Sequence, residues 1–345
     1  MPVVSSQPDG CTLTRTVMAL ANSGGGMKAA GDFAAHRWGP TSKVALSIKD
    51  AVEAGSTFSE DYSDIASLRG ANTAFFTSVR AQTIIGRLSG VRRMPPRTKM
   101  LRTTAGISSQ WIGEAAGKPI NTMVFAKQDG LELRKLVTPA VITRELLESS
   151  DPNAETIIRA EMVRSISSAE NTAFIDPANA GETGVKPASV TYGLSAIGGG
   201  SPSSTPEDDF EELIQNYTGD LERAYLVMSP LLGAKLSGQS RPNIGARGGE
   251  WAGVPVITSA DVPAGTIVLI DPTGIALIEG PGSARTSDQA SIQMVDESTL
   301  NSATPTPAQL VSMWQTNSLA IMTGRFVNWA VARPGAVSMI SDAAY

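Results

Sequence analysis

The stretch that most constrains the fold runs from Asp151 to Ile175, where one long amphipathic helix is written with its signals in order. Asp151 is placed to cap the N-terminus, Pro152 suits the first helical position, and Glu155 lies near the positive end of the helix dipole. Ala154, Ile158, Met162, Ile166, Ala169 and Ala173 recur at helical spacing and draw one apolar stripe. Glu155 precedes Arg159 by one turn, the favourable order for an exposed ion pair. Asp176-Pro177 stops the helix, since proline cannot continue it. At roughly 1.5 Å per residue it spans more than about 30 Å, long for a globular helix. Alone it is either a core helix of an α/β domain or a beam along which other parts are arranged.

Its flanks separate these readings. Upstream, Leu13 to Ala21, Thr41 to Ala54 and Ser67 to Leu88 read as helices, with Asn22-Ser-Gly-Gly-Gly26 and Gly55 as breaks. None carries enough apolar surface for a domain of its own, so residues 1–98 read as an arm that packs on something else. Arg92, Arg93, Arg97, Lys99 and Arg102 surround Pro95-Pro96, a basic and proline-broken stretch suited to a solvated linker or to acidic or phosphate contacts. It carries no aromatic residue on which bases would stack.

Residues 99–137 change character. Two strand-like runs, Thr103 to Ile112 and Ile120 to Val137, flank the polar stretch Gly113 to Pro119, and Asp129-Gly130 marks a turn before Leu131 and Leu133 resume the alternation. A two-stranded excursion this poor in apolar residues is marginal in water and needs a partner surface.

Downstream of the long helix, residues 176–205 are loop-rich. Thr205-Pro206-Glu207-Asp208 opens a helix with its cap, proline and acids in place. The acids Glu207, Asp208, Asp209, Glu211 and Glu212 complement the helix dipole rather than mark a cation site. Ala224 to Met228, Val254 to Ile257 and Thr266 to Asp271 read as strands, Ser229-Pro230 as a helix start reaching Leu236, and Gly245, Gly248 and Gly249 as a loop. Leu310 to Trp314, Ser318 to Met322 and Phe326 to Ala332 read as closing strands ended by Arg333-Pro334-Gly335, although Thr306-Pro307 would also start a helix.

Chemistry is sparse. The one histidine, His36, lies in the arm, and the one cysteine, Cys11, has no base beside it, which leaves no nucleophilic triad, disulfide framework or cysteine metal site. Gly117-Lys118 runs into Pro119 without a phosphate-loop hydroxyl, and the glycine runs 24–26 and 198–200 read as linkers. A net charge of −5 gives no footprint for wrapping nucleic acid. No apolar run is long enough for a membrane span and no signal peptide opens the chain. The expectation is a soluble protein of a reducing compartment that is not an enzyme, with no catalytic, cofactor or metal residues.

The ordered parts resemble the major capsid protein of tailed bacteriophages, the Hong Kong 97-type shell fold. The resemblance rests on Trp111-Ile-Gly113-Glu114, Lys118-Pro119 and Phe125-Ala-Lys-Gln128, then Leu136 to Leu147 leading into the long helix, then Tyr225 to Pro230, Gly253 to Val256 and Arg333 to Val337. It implies an α+β Hong Kong 97-like capsid fold with an N-terminal arm, an extended two-stranded loop, a spine helix, and peripheral and axial domains. The divisions it implies are 1–98 for the arm, 99–137 for the extended loop, 138–185 for the peripheral domain with the spine, 186–308 for the axial domain and 309–345 for the closing peripheral strands. The implied function is self-assembly as pentamers and hexamers into an icosahedral shell around double-stranded DNA, in a virion built in the bacterial cytoplasm. An encapsulin-like nanocompartment shell is the alternative. Implied partners are copies of the chain itself, scaffolding, portal and cement proteins, and non-specifically the packaged DNA, with no membrane. Assembly residues on this reading are Trp111, Gly113, Glu114, Lys118 and Phe125 of the extended loop, Met162 and Ile166 of the spine, and Arg92 and Arg93.

Some members of that family join subunits through a loop lysine and a neighbour's asparagine, with a glutamate assisting. Lys118 matches the lysine, but Met313 stands at the asparagine position and Ala320 near the glutamate, so no crosslink is expected; a shift of four would bring in Asn317. The residues ahead of the loop are too few for both a scaffolding segment and a full arm. Scaffolding is therefore expected to be a separate protein, or the chain to be already processed.

Overall fold

The structure, a computed structural model, describes residues 15–16, 18–19, 22–23, 27–49, 75–98, 100–105, 124–128, 130–145, 152–197, 205–238, 241–293 and 310–343. The described part of the arm is helical. Helix α1 (Met27–Trp38) and helix α2 (Lys43–Lys49) are joined by a reversal at Gly39, whose φ of 95° suits glycine. The Ser42 hydroxyl accepts the Ala45 N–H at 3.2 Å and caps α2. The two helices bury Ala30, Ala34, Val44, Ala45 and Ile48 together with Ala19, flanked by Phe33 and Trp38. The arm was expected to have no core, and this small one arises because alanines let the helices approach closely.

Residues 75–82 continue the helical pattern, and Thr83 interrupts it. Its side chain accepts the Gly86 N–H and starts the one-turn helix α3 (Ile84–Arg87). Ile84, Ile85 and Leu88 then enter the largest apolar cluster among the described residues. Strand β1 (Arg92–Arg93) follows. The excursion is the antiparallel pair β2 (Met100–Ala105) and β3 (Val124–Gln128), paired with no third strand among the described residues; the parts of the expected runs at 106–123 lie outside the described residues. Strand β4 (Arg134–Thr143) leads to helix α4 (Pro152–Ile175), one residue from the expected limits.

The buried face of α4 departs from the expected stripe. Met162, Val163, Ile166, Ala173, Phe174 and Ile175 are buried, but Ala169 is exposed and Ser167, Glu170 and Asn171 are buried in its place. Within the second half of the helix, Ser168 and Asn171 bond to Asp261 of a polar loop, a face that a search for apolar residues misses. Arg159 donates to the Ser78 hydroxyl at 2.9 Å; the Glu155 side chain lies outside the described residues.

The rest of the chain comprises helix α5 (Pro206–Gln215), strand β5 (Tyr225–Met228), helix α6 (Pro230–Leu236), strands β6 (Ile244–Gly245), β7 (Gly248–Trp251), β8 (Val254–Thr258), β9 (Ile267–Ile270) and β10 (Ile275–Glu279), then β11 (Ser283–Ser287), β12 (Ser291–Gln293), β13 (Leu310–Ser312), β14 (Ser318–Val331) and β15 (Val337–Ile340). The glycine-rich loop of the 240s is a hairpin, β6 with β7. Two of the expected closing strands are one continuous strand, β14, and β15 lies beyond Arg333-Pro334-Gly335, where the sheet was expected to end. The 307–314 ambiguity resolves for residues 310–312 as strand.

Two compact units divide the chain, one of residues 1–79, 137–166 and 282–325, the other of 80–136, 167–281 and 326–345. In the first, Phe75 and Phe76 meet edge to face, the Phe76 ring fills the space a side chain at Gly282 would need, and Arg144 pairs with Asp288 at 2.7 Å. In the second, a six-stranded sheet runs in the order β15-β9-β5-β8-β7-β6. Alternate residues of its central strands serve two clusters. Val227, Val268 and Ile270 face one shared with α3, β10 and the end of α4; Leu226, Met228, Ile267 and Leu269 face the other, under α5 and α6. Burial on both faces explains the unbroken apolar runs of β5 and β9. Trp329 sits edge-on to Phe174 at 5.4 Å and donates its indole N–H to the Ala188 carbonyl, fixing β14 against the helix end.

Candidate assembly surfaces

No concave chemistry centre emerges among the described residues. A shallow depression of about 390 Å³ is lined by residues 86–91 and Arg93, with no carboxylate, histidine or cysteine in its wall. No group of three metal-ligating side chains occurs, and no helix is long and apolar enough to cross a membrane, among the described residues. The features capable of recognition are surfaces.

The first is the basic strip. β1 pairs parallel to β10, Arg92 opposite Ala276 and Arg93 opposite Leu277, and Met94 extends the pairing by donating its N–H to the Leu277 carbonyl. Arg92, Arg93, Pro95, Pro96 and Arg97 are all exposed along this edge. Arg93 lies 3.8 Å from Glu279, which also receives two bonds from Arg80, at 2.8 and 3.3 Å. Among the described residues no carboxylate comes within ion-pair distance of Arg92 or Arg97. Arg97 holds a φ of 62°, unusual for a side chain of its size, in a turn whose N–H is anchored on the Leu131 carbonyl. Charged residues and prolines at a short edge strand block addition of another strand. Beside the strip, Arg87 donates to the Thr258 carbonyl at 2.9 Å, and burial lowers its pKa from the usual arginine value.

The second surface is the outer face of α5. Thr205 and Asp208 form a reciprocal capping box, Glu207 pairs with Arg241 at 2.8 Å, and Phe210 stacks on Trp251 at 4.4 Å beneath the helix. That packing turns Glu211 and Glu212 outward, with no cation within ion-pair distance among the described residues.

The third feature is a set of exposed apolar side chains. Trp314, in the turn between β13 and β14, is 77% exposed and Leu310, the first residue of β13, 56%, while Met313 next to Trp314 is fully buried. Ile157, on the first half of α4, is 62% exposed. Exposed large apolar side chains mark contact sites where they join into a patch.

The residues singled out from sequence fall into three groups. Arg92 and Arg93 are on the surface. Met162 and Ile166, 9% and 0% exposed, are interior and act by holding the helix in its unit. Phe125 lies on β3 opposite Thr103, its side chain outside the described residues, as are Trp111, Gly113, Glu114 and Lys118 entirely. The sequence reading missed Trp314 as an anchor; the signal available was a tryptophan in the charge-free run Leu310 to Ala320.

Comparison with known proteins follows the same lines. The model of the phage capsid family matches residues 71–341. A capsid polyprotein of Pseudomonas phage PAJU2 is 31% identical over 319 residues, covering 86% of this chain and 46% of the relative, so the chain spans about half the length of that protein. A solved structure from Gordonia phage Cozz superposes with a TM-score of 0.55 at 16% identity, over 76% of this chain and 87% of that one. Another, from Mycobacterium phage Ogopogo, gives 0.49 at 15% identity, over 76% and 92%.

Proposed function

The chain belongs to the phage capsid family, and from that premise we propose that it is the major capsid protein of a tailed phage, forming pentamers and hexamers of an icosahedral shell around double-stranded DNA. The observation that carries this reading is the family match over residues 71–341, which takes in the basic strip, the β2–β3 ribbon, the α4 beam and parts of both compact units. The fold is α+β and of the Hong Kong 97 type, in keeping with the Gordonia phage structure.

Physical features support the assembly role. The β2–β3 ribbon pairs only with itself among the described residues, and a two-stranded ribbon is marginal in water, so its natural support is a neighbouring subunit. Trp314, Leu310 and Ile157 are exposed in one copy and would be covered by others. In this reading residues 1–98 are the arm, 99–137 the extended loop, 138–185 and 309–345 the peripheral domain, and 186–308 the axial domain. Trp111, Gly113, Glu114, Lys118 and Phe125 lie along the loop on its neighbour. Scaffolding, portal and cement proteins are the further partners, DNA is held without base recognition, and assembly takes place in the host cytoplasm. The protein acts by structure and catalyses nothing. A nanocompartment shell is the weaker reading, because the curated relative comes from a phage.

Negative-stain electron microscopy of the purified full chain tests the proposal. Closed shells tens of nanometres across that hold DNA when recovered from infected cells are expected. A chain that stays monomeric at high concentration overturns it, and empty shells filled with a protein cargo would select the nanocompartment.

A further inference from the structure

A ring of identical subunits needs two different, complementary patches on each copy, since a self-complementary patch closes a two-fold dimer and stops. The second compact unit carries such a pair. Arg92, on β1, and Arg97, in the turn after it, are exposed along an edge that pairs with no further strand among the described residues, and Glu211 and Glu212 stand on the outer face of α5. They do not serve each other within one copy. α5 is fixed by Phe210 and Leu213 onto the cluster beneath the six-stranded sheet, whereas the strip borders β10, with Met94 in a separate cluster beside Ala276 and Ala332. Both pairs of charges lack an ionic partner among the described residues.

We propose that Arg92 and Arg97 of one copy pair with Glu211 and Glu212 of the adjacent copy in the ring. This rests on the shell reading given above. Strand addition is not the chemistry of this edge, because arginines and Pro95-Pro96 obstruct it. The partner is an acidic protein surface rather than DNA for two reasons. Glu279 sits among the arginines and holds Arg80 and Arg93, so a phosphate backbone would meet a carboxylate in the middle of its site. The chain as a whole carries −5, which opposes approach of a polyanion, while α5 concentrates negative charge at one turned-out helix face.

Charge reversal and its compensation in the full chain test this. Arg92→Glu with Arg97→Glu, and separately Glu211→Arg with Glu212→Arg, should each raise the protein concentration needed for shell formation by roughly tenfold or more, measured by sedimentation velocity and electron microscopy. The fourfold variant, with both patches reversed, should return it to near the wild-type value. All four changes of side chain lie at exposed positions outside the capping box and outside the Glu279 pairs, and unchanged circular dichroism checks folding. Should a reversal variant misfold, Arg92→Gln with Arg97→Gln and Glu211→Gln with Glu212→Gln give the smaller form of the same shift. Wild-type shells with normal assembly of either reversal variant overturn the pairing and leave the shell reading standing. Failure of the fourfold variant to recover also overturns it, and so does normal assembly with lower DNA content in the arginine variant, which would assign the strip to phosphate. A wild-type chain that forms no shells counts against the shell reading and the pairing together.

Discussion

The Asn171 side-chain carbonyl accepts the backbone N–H of Ile84 at 2.7 Å, tying the spine helix to the first turn of α3. The same amide donates to Asp261 at 2.8 Å, and Ser168 and Ser259 donate to that carboxylate as well. All of this lies at the polar face of α4, with Asn171 only 3% exposed. Asn171→Ala would strand a buried N–H at a helix start and remove one donor from Asp261. The expected loss is about 2–3 kcal/mol in denaturant unfolding of the chain. A loss below about 0.5 kcal/mol would mean that water takes over both bonds and that the latch is dispensable.

The position of the α4 face gives a second contrast. Ile166 is fully buried and Ala169 is exposed, although both belong to the stripe drawn from spacing. Ile166→Ala should cost about 2–5 kcal/mol, and Ile166→Asp or Met162→Asp should give no folded, assembling chain. Ala169→Asp should leave the melting temperature within a few degrees of wild type. If Ala169→Asp were as damaging as Ile166→Asp, the helix would be rotated from the face described.

The same contrast explains what was legible in the sequence. α4, β5, β8, β9 and α6 were readable because local signals suffice: a capped helical period, or apolar runs bounded by turns. Their faces were less readable. Asn171 is buried, and it meets a polar loop 90 residues later at Asp261, which no period encodes. β14 looked like two strands because Thr323-Gly324-Arg325 interrupts its apolar pattern, yet Thr323 and Arg325 are both buried. β15 was missed because Arg333-Pro334-Gly335 signals an end, and here it makes a turn with Gly335 at a φ of 74°. At the surface, Arg92 and Arg93 were visible as charge, but that Glu279 engages Arg93, and Arg92 has no carboxylate partner among the described residues, follows only from pairing β1 with β10.

Tyr217 links the end of α5 to the turn before β15, its hydroxyl donating weakly to the Ala336 carbonyl at 3.5 Å. Burial pushes its pKa above the usual phenol value, with Asp220 adding to the shift and Arg333 opposing it. The folded state thus holds the proton more tightly than the unfolded chain, whose phenol ionises near about pH 10. This contribution to stability is complete below that pH and is lost as pH rises from there through the folded value. Tyr217→Phe should therefore match wild type within about 1 kcal/mol at pH 7 and fall less steeply above about pH 10. Unfolding midpoints across that range check it, and parallel curves for the two proteins would assign the alkaline loss to other groups.

Covalent joining of subunits would need an acyl carbon where the lysine of a neighbouring loop arrives. At the matching position Met313 offers a thioether, and it is fully buried with its N–H bound to the Ala290 carbonyl at 2.9 Å. Ala320, on β14 opposite Ser287, has no carboxyl group to relay a proton. The nearest asparagine, Asn317, sits at the exposed turn with a φ of 47°, its backbone carbonyl accepting the Arg144 N–H at 2.9 Å. Shells of this chain should therefore dissolve on denaturing gels to a single band near 36.0 kDa. Their cohesion would then depend on non-covalent contacts such as those of Trp314 and the charged strip, and denaturant should take them apart completely. A ladder of multiples would show that a bond forms after all. Its loss in Asn317→Ala would identify the acyl donor, and its loss in Lys118→Arg the amine.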